Sequence, residues 1–419
     1  MDFLRAMAVL LVVFHHSLNF MAVPAWVWHF GWLGEIGVGA LLVLSGYLIG
    51  QSLMLKCRAG RFSRLGDLGN FYMRRWSRTF PPYFFFLGMM AALFPPVLGQ
   101  LQAHWQYFLF LQNFAWDTPP FYCQTWTLAL LEFFYLLFPL LMMAAWKLTR
   151  SYALSVAVPM VVLFFVPLGL RALAPLEPQE RVEAMFRTWV IYRLDTPIIG
   201  VLAALVQVEL PRLWALLLRH SWIGLLACAG LLAYHEAGCP GVSTSHALQV
   251  VFYPLSAVAM ATALPWLVNW RQNPSLAGKV ISSVSSTSYT LYVSQFFAMI
   301  IGFCFLGVVG ISAWYLALPI LAMFVAVVTC AGYYVTEEPF IRLREKKSRS
   351  CFAPLVRAAF GLRARLALRP VLVPAEGEGE TAKGVSGQEL VDRIETLFTP
   401  EEAADLARRI EEGRANRHD

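Results

Sequence analysis

Apolar residues in this chain gather into long runs that are separated by short polar stretches. A run of about 20 apolar residues is long enough to cross a bilayer as an α-helix, so the pattern predicts an all-α polytopic membrane protein with about ten transmembrane helices. The apolar segment 104–114 is too short to span and is interpreted as interfacial or re-entrant. The predicted spans are 4–22, 33–55, 80–98, 126–146, 151–170, 189–208, 213–233, 247–268, 286–306 and 312–335.

Basic residues alternate between successive loops and give the spans a direction. Basic loops stay in the cytoplasm, and with an even number of spans this predicts that both termini are cytoplasmic. Loop 171–188 departs from the alternation, because its three arginines are offset by three glutamates. Lys and Arg number seven in 56–79 and two each in 147–150, 209–220 and 269–285, whereas 23–32, 99–125, 234–246 and 307–311 have none.

The chain after the last span predicts a cytoplasmic tail at 341–419, following a membrane domain at 1–340. Residues 341–369 interleave basic and apolar residues, as expected of a segment lying on anionic lipid. Residues 370–385 are typical of a flexible linker. Two short helices should follow, because Ser386 with Glu389 and Thr399 with Glu402 form capping boxes.

Composition excludes an ordinary soluble domain. Only 14% of the 419 residues are charged and 58% are hydrophobic, whereas a soluble domain carries about 25% charge. The net charge of +7 lies in loops and tail, which indicates membrane orientation and argues against nucleic acid as a partner. The seven cysteines are scattered without a CxxC pair and predict neither a metal site nor a disulfide framework. We expect a multi-pass protein of the cell (inner) membrane.

The first span carries an arginine and two histidines within its apolar run. Arg5 and His16 are 11 residues apart, which puts them on one helix face with a rise of about 16 Å between them. His15 points about 100° away and does not share that site. Because an unpartnered imidazole is costly in hydrocarbon, His16 is either a neutral residue bonded between helices or a group that faces a cavity.

Three arginines, Arg74, Arg75 and Arg78, cluster within one turn just before the third span. Arginines there commonly anchor the cytoplasmic end of a helix, but forked guanidinium groups also suit phosphates. With Pro81 and Pro82 fixing the entry of the chain into the membrane, this cluster is a candidate docking site for a soluble phosphorylated donor.

Two later spans also contain ionisable residues. Glu132 lies among apolar neighbours, where a charge costs about 2.5–3.5 kcal/mol, so it is protonated, paired with a base or placed in a wet cavity. Arg193 and Asp195 lie near the outer end of the sixth span. They either pair with each other structurally or bind a polar ligand from outside.

Five motifs in this order resemble the acyltransferase-3 family of integral membrane acyltransferases over about residues 2–344. The chain departs from the family pattern at Leu131, where a glutamate normally follows Trp126 by five residues, so that Glu132 is the adjacent carboxylate. It departs again at Ser294 and Gln295, where a histidine often stands, and no catalytic role is assigned there. The motifs are Asp2, Arg5 and His16; GEIGVGALLVLSGYLIG (34–50); Arg74, Arg75, Arg78 and Pro81; SYTLYVSQ (288–295); and YYVTEEPFIRLRE (333–345), with Glu337 two residues before Pro339.

The resemblance implies transfer of an acyl group, most often acetyl, from acyl-CoA to a hydroxyl of a surface carbohydrate or glycolipid. Such O-acetylation modifies polysaccharides. No metal is expected, because the spans have no second histidine at ligand spacing. His16 would be the general base on the acceptor hydroxyl or a transient acyl carrier. Arg5 would hold the phosphates or the thioester, or keep Asp2 paired. The remaining candidates are Glu132 for catalysis; Arg74, Arg75 and Arg78 for the donor; Ser45 for substrate binding in the same cavity, although its neighbour Gly46 also suits helix packing; and Arg193 and Asp195 for the acceptor.

Two other functions fit parts of the sequence. A transporter or flippase of glycolipids or small molecules would also have many spans, a basic mouth and buried ionisable groups. Inverted repeats between the two halves are not evident, and the shared face of Arg5 and His16 favours a reaction path. A non-catalytic regulator that recruits partners through its tail is the third reading, and the mismatch at Leu131 keeps it open.

Overall fold

The computed structural model describes residues 1–93, 105–174, 179–236, 245–270 and 275–343. Within these ranges the chain is helical and contains no strand, which confirms the predicted all-α class. The chain divides into two compact units, Met1–Glu337 and Glu338–Asp419, and the second is described only over 338–343. The predicted linker and capped helices of the tail lie outside the described residues.

Fifteen α-helices make up most of the described residues. A short 3₁₀ helix at Trp105–Leu109 lies in the predicted non-spanning segment 104–114, and a second at Pro120–Thr125 leads directly into the next α-helix. A π turn at Tyr333–Glu337 follows the last helix. In chain order the helices are α1 Asp2–Leu18, α2 Ala25–Trp28, α3 Leu33–Arg58, α4 Leu65–Leu93, α5 Trp126–Thr149, α6 Tyr152–Ala172, α7 Gln179–Thr188, α8 Val190–Arg193, α9 Asp195–Glu209, α10 Pro211–Arg219, α11 Ser221–Glu236, α12 His246–Asn269, α13 Leu276–Ser286, α14 Ser288–Val309 and α15 Trp314–Gly332.

Seven helices in the described ranges are long and apolar enough to cross a membrane, or eight if one bent pair counts as a single span. The bent pair is α10 and α11, which meet at 61° where the chain leaves helical geometry at His220. It occupies the predicted span 213–233. Helices also lie at the other two predicted positions. They are not among the seven, because α1 has only 17 residues and α4 carries the three arginines. The chain is therefore a polytopic helical membrane protein, and the count of ten spans stays a prediction.

Helix α1 ends four residues earlier than predicted. Asn19 caps it and Pro24 follows, so the helix closes at Leu18 instead of 22. As a result His16 lies in the last turn of the helix, not near its middle.

Helix α4 begins fifteen residues before the predicted span. Its first half is polar, and the length of an apolar run does not reveal it. A ladder of rings supports this half, because Trp76 stacks on Tyr72 and on Phe80 with centroid distances of 5.0 and 5.3 Å. The three arginines therefore lie inside a continuous helix that also contains both prolines, not in a loop that leads into the membrane.

Glycines bring helix α3 into backbone contact with its neighbours. A Cβ atom built on Gly46 would lie 1.8 Å from the carbonyl oxygen of Pro197, and one on Gly200 would lie 2.0 Å from that of Val43. On the other side of α3, a Cβ on Gly37 would lie 2.5 Å from the carbonyl oxygen of Ala8. Helices α1 and α9 thus pack tightly on α3, as expected where small residues line a helix crossing in a membrane.

Replacing Gly46 with alanine should destabilise the protein. The new methyl group forces α3 and α9 apart, and overpacking of this kind costs about 1–3 kcal/mol. The measurement is the fraction of monodisperse protein left after heating in detergent. Gly88→Ala on α4 is the matched control, because a Cβ at Gly88 meets no atom within 4 Å. Equal heat resistance of the two variants would contradict the close crossing.

Candidate functional site

Helix α1 carries a polar residue at each end of the same face. Arg5 lies in its second turn and His16 in its last turn, separated by about 16 Å along the axis. The predicted shared face therefore holds in a continuous helix. Each residue belongs to a separate group of polar side chains. We call these the arginine cluster (Arg5, Ser45, Arg75, Arg78, Glu132, Tyr135 and Glu337) and the histidine cluster (His16, Glu35, Arg187, Arg193 and Gln295).

The arginine cluster gathers three cationic side chains from α1 and α4. Arg5 interacts electrostatically with both Arg75 and Arg78, and like charges so close together repel. The Arg5 guanidinium forms no hydrogen bond or ion pair with any described residue, and the nearby Asp2 instead accepts from Ser285 Oγ at 2.9 Å. A guanidinium that has no bonded partner and lies near two other guanidinium groups is suited to an anion.

Two acidic residues neutralise part of this charge. Glu337 is fully buried and accepts from Arg78 Nε at 2.7 Å and from Thr290 Oγ1 at 2.6 Å. Glu132 accepts from the indole of Trp76 at 3.1 Å and interacts electrostatically with Arg75. Glu132 forms no ion pair with a described residue, so the three alternatives for this side chain stay open.

The other candidates for substrate binding differ in where they lie relative to Arg5. The Ser45 hydroxyl lies close to the phenol of Tyr135, which places Ser45 in the cluster. The guanidinium carbon of Arg75 lies 3.5 Å from the centroid of the Tyr135 ring. Arg74 is one residue earlier on α4 and projects about 100° away from Arg75. The structure thus brings Arg75 and Arg78 to Arg5, and Arg74 lies on the same helix four residues before Arg78.

His16 has an incomplete set of partners in the histidine cluster. Its Nδ1 is buried without a hydrogen-bond partner, and the fully buried Gln295 interacts with the imidazole. The Gln295 Nε2 donates to the Tyr292 carbonyl at 3.1 Å, which leaves Oε1 buried and also without a partner. The ring of His15 lies 5.5 Å from that of His16, but its Nδ1 bonds a different partner, the Gly31 carbonyl, at 2.7 Å.

Charged and aromatic side chains surround the region next to His16. Glu35 forms an ion pair with Arg187, and this pair interacts electrostatically with both His16 and Arg193. The Arg193 guanidinium is buried and lies 3.9 Å from the centroid of the Tyr253 ring. Arg193 thus lies at the same end of α1 as His16.

Asp195 does not pair with Arg193. It forms a fully buried ion pair with Arg171, whose other nitrogens donate to the carbonyls of Val250 and Tyr192. This favours a structural role over contact with a ligand from outside. Within the described ranges, no three histidine, cysteine or acidic side chains come together as metal ligands. The expectation of metal-free chemistry stays a prediction.

Besides Glu35 and Arg187, four residues in or beside these clusters had no predicted role, although each left a trace in the sequence. Glu337 stands in the closing motif, and Gln295 occupies a position where the family pattern differs. Arg171 was placed in a loop because the predicted span stopped at 170, whereas α6 runs to Ala172. Tyr135 follows Glu132 by three residues, so both lie on one side of α5.

Comparison with known proteins adds one match. A family model described as "Acyltransferase domain" matches residues 1–336, which is most of the chain and all but one residue of the first compact unit. No curated protein and no solved structure matches this chain.

Proposed function

The chain belongs to the acyltransferase-3 family, and on that premise we propose that it moves an acetyl group from acetyl-CoA to a hydroxyl of a carbohydrate or glycolipid. The observation that carries this proposal is the pair of polar clusters at the two ends of α1. One has cationic side chains for the phosphates of the donor, and the other has a histidine with an unsatisfied nitrogen. The pantetheine arm of coenzyme A is long enough to link them.

In the proposed reaction the acceptor hydroxyl oxygen attacks the thioester carbonyl carbon, and the C–S bond breaks. His16 takes the hydroxyl proton as general base, and coenzyme A leaves as a thiolate that is then protonated. In the alternative that the sequence leaves open, a His16 nitrogen carries the acetyl group between donor and acceptor. Arg75 and Arg78 would hold the phosphates, and Glu132 would orient Arg75. Arg193 would face the acceptor, with Asp195 fixing Arg171 behind it.

The topology in this proposal is the one predicted from loop charge, with ten spans and both termini in the cytoplasm. It puts the arginine cluster within reach of cytosolic acetyl-CoA. The histidine cluster then lies towards the opposite face, where a surface glycan or lipid-linked sugar is available. We propose the cell (inner) membrane as the location and O-acetylation of a polysaccharide as the outcome.

Labelled acetyl-CoA tests the function directly. Membranes from cells that express the protein should transfer label into a lipid or polysaccharide fraction, and membranes from cells without it should not. Purified protein should also consume acetyl-CoA. A glycolipid transporter or flippase would do neither, so absence of both signals would overturn the proposal in favour of transport.

A further inference from the structure

We propose that Tyr135, Arg75, Arg5 and Ser45 form a pocket for the pyrophosphate of the acyl-CoA donor. This inference rests on the proposed function and deepens it. It assigns a binding role to Tyr135 and identifies which phosphate group the pocket holds. The four residues come from four helices, α5, α4, α1 and α3, so the pocket is built by the packed core of the first unit.

Unsatisfied polar atoms are the first support for the pocket. Tyr135 is only 2% exposed, yet its hydroxyl has no hydrogen-bond partner. The Nε of Arg75, whose guanidinium lies over the Tyr135 ring, is also buried without a partner. Ser45 lies near the Tyr135 hydroxyl, but the two hydroxyls do not complete a bond. Because buried polar groups are almost always hydrogen-bonded, two such donors side by side indicate a ligand.

The charge balance specifies the kind of ligand. Glu337 is occupied by Arg78 and Thr290, and the indole of Trp76 binds Glu132. Arg5 interacts electrostatically with Asp2 and Tyr135 but forms no ion pair with a described residue. The Arg5 guanidinium, the Arg75 Nε and the Tyr135 hydroxyl therefore remain as hydrogen-bond donors without a bonded acceptor, and two of them belong to cationic side chains, which select an anionic oxygen over a sugar hydroxyl.

Distance decides which anion of the donor is bound. Arg5 lies about 16 Å along α1 from His16, where the proposed reaction takes place. Of the phosphate groups in acyl-CoA, the pyrophosphate is the one joined directly to the pantetheine arm, and the ribose phosphate lies farther from the thioester. A pyrophosphate at Arg5 and Tyr135 therefore lets the extended arm bring the thioester to His16.

The experiment combines removal of the Tyr135 hydroxyl with removal of the phosphates. Acetyl transfer is measured for wild type and Tyr135→Phe with acetyl-CoA and with acetyl-pantetheine, which has the arm and thioester but no phosphate. Loss of a hydrogen bond to a charged group should lower kcat/KM for acetyl-CoA by about tenfold or more. With acetyl-pantetheine the two proteins should be equal. Tyr47→Phe is the control, because it removes another buried hydroxyl, which donates to Gln207 at 2.6 Å.

Two results would overturn the pocket. If Tyr135→Phe loses the same factor with both donors, Tyr135 has a structural role or binds a lipid headgroup phosphate. If it loses nothing with either donor, its hydroxyl does not contact the donor. If wild type transfers acetyl from neither donor, the proposed function has failed. Inorganic pyrophosphate then tests the pocket alone: stabilisation of wild type but not Tyr135→Phe against heat supports it, and equal responses refute it.

Discussion

His16→Ala should lower acetyl transfer by about 10²- to 10⁴-fold, the range that a general base contributes, at unchanged protein level. The buried Nδ1 of the imidazole has no hydrogen-bond partner. Removing the imidazole therefore breaks no hydrogen bond at that nitrogen. The loss should therefore appear in activity more than in stability. The measurement is incorporation of labelled acetyl into lipid and polysaccharide fractions of membranes matched for protein.

The adjacent histidine provides the control for this prediction. His15→Ala removes an imidazole from the same helical turn, but one whose Nδ1 bonds the Gly31 carbonyl. We expect it to lose some heat resistance and to keep its activity per folded molecule. If His16→Ala labels as wild type does, His16 is a packing residue and the proposed mechanism is wrong.

The same pair of proteins separates the two chemical roles of His16. Wild type is incubated with acetyl-CoA in the absence of acceptor and its intact mass is measured. A gain of one acetyl group that His16→Ala lacks would identify an acyl carrier. An unmodified mass together with active transfer would identify the general base.

Patterns within one helix were predictable from the sequence, because the geometry of an α-helix is fixed. The shared face of Arg5 and His16 follows from their spacing, and the different direction of His15 follows from the same rule, although the two imidazole rings still lie 5.5 Å apart. Boundaries were less predictable. Ring stacking supports α4 through a polar segment, and the cap at Asn19 ends α1 early. The length of an apolar run predicts neither boundary.

Partnerships between helices were the part that the sequence did not reveal. Arg78 and Glu337 are 259 positions apart, and no spacing rule links them. Gln295 reaches His16 only because α14 packs beside α1. Asp195 and Arg193 are neighbours in sequence and were natural candidates for a pair, but they point to different partners. In a membrane protein each buried ionisable group needs some partner, so the sequence predicts that a partner exists without identifying it.

Breaking the Arg171–Asp195 ion pair should have the largest effect on stability. Both side chains are fully buried, so Arg171→Met leaves the Asp195 carboxylate without its countercharge. Removing one partner of a buried pair costs about 3–5 kcal/mol, whereas replacing both with apolar residues is often neutral. Arg171→Met and Asp195→Leu should each sharply reduce the folded fraction after heating, and the double variant should recover much of it.

The exposed pair Arg58–Glu209 is the matched control, with side chains 57% and 31% exposed. Arg58→Met should cost less than about 1 kcal/mol, because water replaces the lost contact. This comparison also decides the role of Asp195 in the reaction. A double variant that folds and keeps the wild-type KM for the acceptor makes Asp195 a structural residue. A double variant that folds but has a much higher KM for the acceptor would indicate that Asp195 contributes to the acceptor site, and would contradict the structural role.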